Sequence, residues 1–210
     1  MKYLVAIILF LNGCVSIQSS SEIQPKKPIK TWTELRDQNV VKQKLDYSCG
    51  AASIATLIKY YFQDDITEKE ILDDIKLHLT PKERETRKET GYSLLDLKKF
   101  AVRRGYSAIG VKLKPTYLSK LKGPILVRLV DSQDYKHFTI LRGIKNNQVF
   151  LADPSFGNIH ISMDNFFKEW SRIALILGKK GFKPPKEYPL KIRADELLRP
   201  ERLLLRQVLR

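Results

Sequence analysis

The chain has 210 residues, 43% hydrophobic and 29% charged, with a formal net charge of +15 at pH 7. This length suits one domain with tails, and the composition excludes a wholly disordered chain. The positive balance points to an acidic partner, but without zinc-finger spacing, ribonucleoprotein aromatic motifs or long runs of like charge, specific nucleic-acid binding is not expected.

The opening MKYLVAIILFLNGCVSIQSS sets Lys2 before an apolar run from Tyr3 to Leu11, with Gly13 ahead of Cys14. The run is too short to span a bilayer and has the layout of an export signal. Leu11-Asn12-Gly13-Cys14 resembles a bacterial lipoprotein box. That resemblance implies an exported, periplasmic chain anchored to a bacterial membrane through lipidated Cys14, and it leaves Cys49 as the single free thiol. Residues 1–14 are accordingly read as signal and 15–30, Ser-rich then Pro/Lys-rich, as a tether. Residues 31–182 are read as the folded domain and 183–210 as a basic, Pro-containing tail. In that tail Leu198, Leu205 and Leu209 share a helical stripe. A helix of this kind suits a partner or an anionic membrane surface, more than packing on the domain.

Apolar residues at helical spacing predict a buried helix from Cys49 to Phe62, with Ala51, Ala52 and Ala55 allowing close packing. A second helix follows Thr67, where Thr67 and Glu70 have capping-box spacing, and runs toward Leu79. Residues 80–90, TPKERETRKET, read as a surface loop; a third helix runs from Ser93 to Arg104 and stops at Gly105. The pattern then turns to strands: 107–113, a short helix at 115–121, and PILVRLV at 124–130. Strands at 137–144 and 148–153 form a hairpin about Asn146-Asn147, followed by a strand at 159–162, a helix at 163–170 and a strand at 173–177. The class is α+β, N-terminal helices packed on a mostly antiparallel sheet.

A thiol at a helix start is favoured as thiolate, which makes Cys49 a candidate nucleophile. His137 opens the run HFTIL and Asp153 ends VFLADP on the next strand, so a base and its orienting carboxylate have a place to meet. His78 is read as a helix-end cap, and His160, alternating with Ile159 and Ile161, as a solvent-facing strand residue. Tyr60, Tyr61, Phe62, Phe166, Phe167 and Trp170 are read as core, and Asp46 and Tyr47 as flanking a substrate groove. Three scattered histidines have no ligand spacing, so neither a metal nor a cofactor is expected.

QKLDYSCGAASIATLIKYY, HFTILRGI and FLADPS together resemble the bacteriocin-processing, double-glycine cysteine peptidase family. The resemblance implies a papain-like fold and a site of Cys49, His137 and Asp153, with Gln43, six residues before the cysteine, as an oxyanion-hole donor. It implies an exported endopeptidase cutting a polypeptide, after Gly-Gly in the family's usual substrates, of the kind that accompanies secretion of surface or functional-amyloid proteins. An inactive peptidase-fold module binding a secreted partner, and an acyltransferase on the same fold, are the alternatives.

Strand parity adds a geometric expectation. With a two-residue turn at Asn146-Asn147 and no irregularity, Asp153 falls opposite Ile140 and points away from His137. A triad therefore requires a three-residue loop at 145–147 or a bulge within 148–153, either setting Asp153 opposite Thr139.

Overall fold

The computed structural model describes residues 30–198; the signal-like stretch, Cys14 and the Leu205 and Leu209 part of the tail stripe lie outside them. Five helices come first: α1 (Trp32–Asp37), α2 (Cys49–Tyr60), α3 (Glu68–Leu77), α4 (Pro81–Thr90) and α5 (Leu94–Arg103). The strands β1 (Ser107–Lys112), β2 (Ile125–Val130), β3 (Lys136–Lys145), β4 (Gln148–Asp153), β5 (Gly157–Ser162) and β6 (Trp170–Gly178) follow, with α6 (Met163–Glu169) before the last. They form one sheet in the order β1-β6-β2-β3-β4-β5, antiparallel at every pairing. Both faces are covered. Ile54, Leu57, Ile71, Leu97 and Phe100 of the helices meet Phe138, Ile140 and Ala152 in one cluster; Val127, Leu141, Leu151, Phe166 and Trp170 build the other.

α2 is the central helix, buried at every position from Cys49 to Ile58. Gly50 is what allows it to lie so close. A β-carbon there would stand 2.8 Å from Leu97 and 3.2 Å from Phe138, so the glycine admits neighbouring side chains. Thr67 and Glu70 form the expected capping box at the start of α3, and His78 caps its end with Nδ1 2.8 Å from the Asp74 carbonyl.

Residues 80–90 are a helix and not a loop. Thr80 and Glu83 close a complete capping box, Pro81 occupies the first turn, and no residue of α4 is buried. A helix that buries nothing has no apolar stripe to reveal it; its start signals are local polar ones. Arg87 holds it to α5 through Asp96 at 2.6 Å. Two further expectations are corrected. His160 is buried, hydrogen-bonded to Gln148 and stacked on Phe150, because β5 is buried at both neighbouring parities. Phe167 is 40% exposed.

The segment read as a tail from residue 183 packs on the domain as far as it is described. Leu190 is fully buried, and Phe182 and Tyr188 lie against the helix-side cluster. Glu196 is 3% exposed and pairs with the buried Arg142 at 2.6 Å.

The β3–β4 hairpin resolves the parity question in an unexpected place. Its turn is the regular two-residue one, with Asn146 and Asn147 at φ 52° and 59° and Lys145 facing Gln148. The irregularity is a bulge at Arg142 in β3: Gly143 faces Phe150, yet Leu141 faces Leu151 and Ile140 faces Ala152. Carried one pair further, this register sets Asp153 against Thr139. Both expected devices are thereby corrected: there is no three-residue loop at 145–147 and no bulge within 148–153. An extra residue in β4 would in fact shift Asp153 the other way, opposite Leu141, and of the two strands only β3 can carry the extra residue that sets it against Thr139.

Candidate active site

Three elements converge. The start of α2 carries Cys49, the second residue of β3 is His137, and the last of β4 is Asp153; the three are 5%, 4% and 0% exposed. His137 Nε2 lies 2.9 Å from Asp153 Oδ2, and the same imidazole is close enough to the Cys49 thiol that each shifts the other's proton affinity. With Nε2 held by the carboxylate, Nδ1 is the nitrogen left for sulfur. Asp153 Oδ1 accepts from Ser155 N (2.9 Å) and Phe156 N (3.1 Å), so the carboxylate is fixed by its own turn. Gly157 closes that turn at φ 80°, where a β-carbon would stand 2.4 Å from Asp37 Oδ1 and 2.7 Å from the Arg36 carbonyl.

The charges on the pair follow from these contacts. Burial pushes the Cys49 thiol up, but the hydrogen bond and charge of His137, with a bond from the Phe138 N–H, bring it below the usual thiol value. Burial likewise disfavours the imidazolium, yet the charge and hydrogen bond of Asp153, aided by Cys49, raise His137 to about 9. Opposite shifts on a bonded thiol and imidazole describe a thiolate–imidazolium pair. Such a pair can attack a carbonyl carbon and deliver a proton to the leaving group.

Gln43 stands on the loop leading to Cys49. Its Nε2 donates to the Leu45 carbonyl at 3.1 Å and, weakly, to that of Asp46 at 3.5 Å; its Oε1 accepts from Ser155 Oγ at 2.8 Å. Its backbone N–H donates to the Pro154 carbonyl at 3.0 Å, tying the loop to the turn that holds Asp153. The sequence brings all four candidates together here, while His78 lies on the exposed end of α3 and His160 on the Phe150 side of β5. Tyr47 packs on Tyr92, with ring centroids 6.1 Å apart, and the Asp46 carbonyl accepts from Tyr135 Oη at 3.3 Å.

Two supporting residues had no signal in the sequence. Ser155 orients the Gln43 amide. The buried carboxylate of Glu68 accepts from Ser48 Oγ at 2.6 Å and Lys44 N at 3.1 Å, bracing the loop before Cys49. Both act across twenty residues or more, where neither periodicity nor spacing reports a contact. Among the described residues no group of three or more His, Cys, Asp or Glu is placed to hold a metal ion.

Residues 37–181 match the model of the Peptidase C39 family. The probable functional amyloid protease FapD of Pseudomonas fluorescens is 33% identical over 156 residues, covering 74% of this chain and 67% of that protein. Its namesake from Pseudomonas aeruginosa is 30% identical over the same coverage of 74% and 67%. Among solved structures, the peptidase domain of Streptococcus ComA superposes with a TM-score of 0.58 at 20% identity, covering 69% of this chain and 99% of that domain, a likeness of fold. A double glycine motif protease from an AMS/PCAT transporter, solved in complex with a leader peptide, gives a TM-score of 0.54 at 25% identity over 68% of this chain and 94% of that one.

Proposed function

The chain belongs to the peptidase C39 family, cysteine peptidases of the double-glycine type with a papain-like fold, and on that footing we propose that Cys49, His137, Asp153 and Gln43 hydrolyse a peptide bond in a secreted or surface polypeptide. The observation that carries this reading is the single buried imidazole held by Asp153 at 2.9 Å and electrostatically coupled to the Cys49 thiol. Cys49 thiolate attacks the peptide carbonyl, and His137 gives its Nδ1 proton to the leaving amine. Water then attacks the thioester with His137 as base, returning the free thiol and a carboxylate. Asp153 holds the ring orientation and its positive charge throughout.

The oxyanion falls to the Cys49 backbone N–H and Gln43 Nε2. The Asp46 bond of Gln43, at 3.5 Å, is the weaker of its two, so its proton is the one to turn toward a developing oxyanion. Ser155 on Oε1 keeps the amide from rotating the wrong atom inward.

The compartment follows from the N-terminal pattern: export, with lipidation of Cys14 anchoring the chain on the periplasmic side of a bacterial membrane. The basic surplus of the chain, +15, is consistent with contact to anionic lipid. The substrate is then an exported protein, and the relatives named for functional amyloid point to a secreted fibre component or a protein that handles one. Mass spectrometry of exported proteins from cells with wild-type or Cys49→Ala protein tests this: a new C-terminus present only with the wild type supports it, and identical termini reject it.

A further inference from the structure

Arg142 is the extra residue of the bulge that brings Asp153 to the side of His137. Neither strand of this hairpin can choose that register by burial. β3 is buried continuously from His137 to Arg142 and β4 from Val149 to Asp153. In strands apolar on both faces, a slip of one residue exposes nothing new. The two-residue turn is equally compatible with the regular register, in which Asp153 faces away. The side chain of Arg142 breaks the tie. Its guanidinium, 0% exposed, bonds Glu196 at 2.6 and 3.1 Å, Asn158 Oδ1 at 2.7 Å and the carbonyls of Leu190 and Lys191 at 2.9 and 2.6 Å. Arg193 approaches the same carboxylate at 2.9 Å.

We propose that Arg142 and Glu196 form a latch, in which the C-terminal strap of residues 188–198 holds the β3 bulge in place and so keeps Asp153 on His137. Arg142 is a positioning residue, acting through Asp153. Arg142 lies within residues 37–181 that match the family model, and the strap lies beyond them. Moving Arg142 into the regular register would strand a buried charge, which holds the bulge as long as Glu196 is there. The inference rests on the peptidase reading for its effect on turnover, but not for its effect on the imidazole.

The experiment uses the full chain, following hydrolysis of a peptide substrate together with the NMR signal of the imidazole proton shared with Asp153. Glu196→Ala is expected to lose that signal and to lower kcat by about 100-fold with little change in KM, the cost of a misplaced catalytic group. Should this variant fail to fold, the pair Arg142→Met with Glu196→Leu replaces the buried ions by apolar groups, a change buried pairs tolerate, and should lose the same signal. Deleting Arg142 from the Glu196→Ala protein removes the extra residue, makes the two-residue hairpin continuous with Asp153 opposite Thr139, and should restore the signal. A folded latch variant that keeps wild-type turnover and signal overturns the proposal, as does a folded deletion variant without it. If wild type hydrolyses no faster than Cys49→Ala, the peptidase reading fails, and the latch stands or falls on the imidazole signal.

Discussion

Cys49 and His137 hold each other's charge, and this sets the pH range in which the site can react. The reactive pair exists above the depressed thiol value and is lost as His137 gives up its proton near 9. The alkaline limb of kcat/KM is therefore expected at about 9. Asp153→Asn removes the charge that opposes desolvation of the imidazolium, so the limb should move to lower pH; a limb that stays in place would mean that another group carries it. Native Cys49 should be alkylated faster at pH 6–7 than the same thiol in the unfolded chain, and a slower native rate would contradict the ion pair. Gln43→Ala should lower turnover by roughly 10²–10³ with KM little altered, since its donor matters only as the oxyanion forms. Ser155→Ala should show a smaller loss of the same kind.

α4 and the β3–β4 hairpin are stabilised in opposite ways. α4 has a capping box, a proline at its start and an ion pair to Asp96, yet buries no side chain. Thr80→Ala should therefore weaken the helix locally by about 1 kcal/mol. Amide exchange across residues 81–90 should accelerate while the melting temperature and peptide hydrolysis stay near wild type. A large fall in melting temperature would show that α4 is coupled to the core after all. The hairpin is buried from His137 to Arg142 and from Val149 to Asp153, and its register rests on one charged residue. Gly157→Ala, at a positive φ with carboxylate and carbonyl oxygens inside normal contact distance, should disturb the Asp153 turn and lower both stability and turnover.

The ends of the chain bear on the molecule as a body. Deleting residues 187–210 removes Leu190 from the core and leaves Arg142 buried without its carboxylate. Breaking a buried pair in this way costs about 3–5 kcal/mol, so the truncated protein should unfold at markedly lower urea, or not accumulate at all. A truncated protein of wild-type stability would return these residues to the status of a tail. At the other end, Cys14→Ala should move the protein from the membrane fraction to the soluble exported fraction and abolish labelling by a fatty-acid probe. Unchanged partitioning would reject lipid anchoring.

The local signals in the sequence were sufficient for the order of the buried helices and the strands, for the capping box of α3, and for the spacing of Gln43, Cys49, His137 and Asp153. Each is a short-range pattern, or a long-range one fixed by a family resemblance. Strand parity required an irregularity for the triad to form, but the loop at 145–147 and the bulge within 148–153 that it pointed to are both absent, and the extra residue sits in β3. Periodicity placed it on the wrong side of the turn. A buried arginine in an apolar strand reads as an interruption until its partner is known, and Glu196 lies 54 residues away. The same limit hid the bond from Ser155 to Gln43 across 112 residues and the inward turn of His160; α1 and α4 went unread for another reason, since they bury no residue and carry only local capping signals. Short-range propensity and pattern are written along the chain, whereas the pairing of buried charges is decided only when distant segments exclude water from the same place.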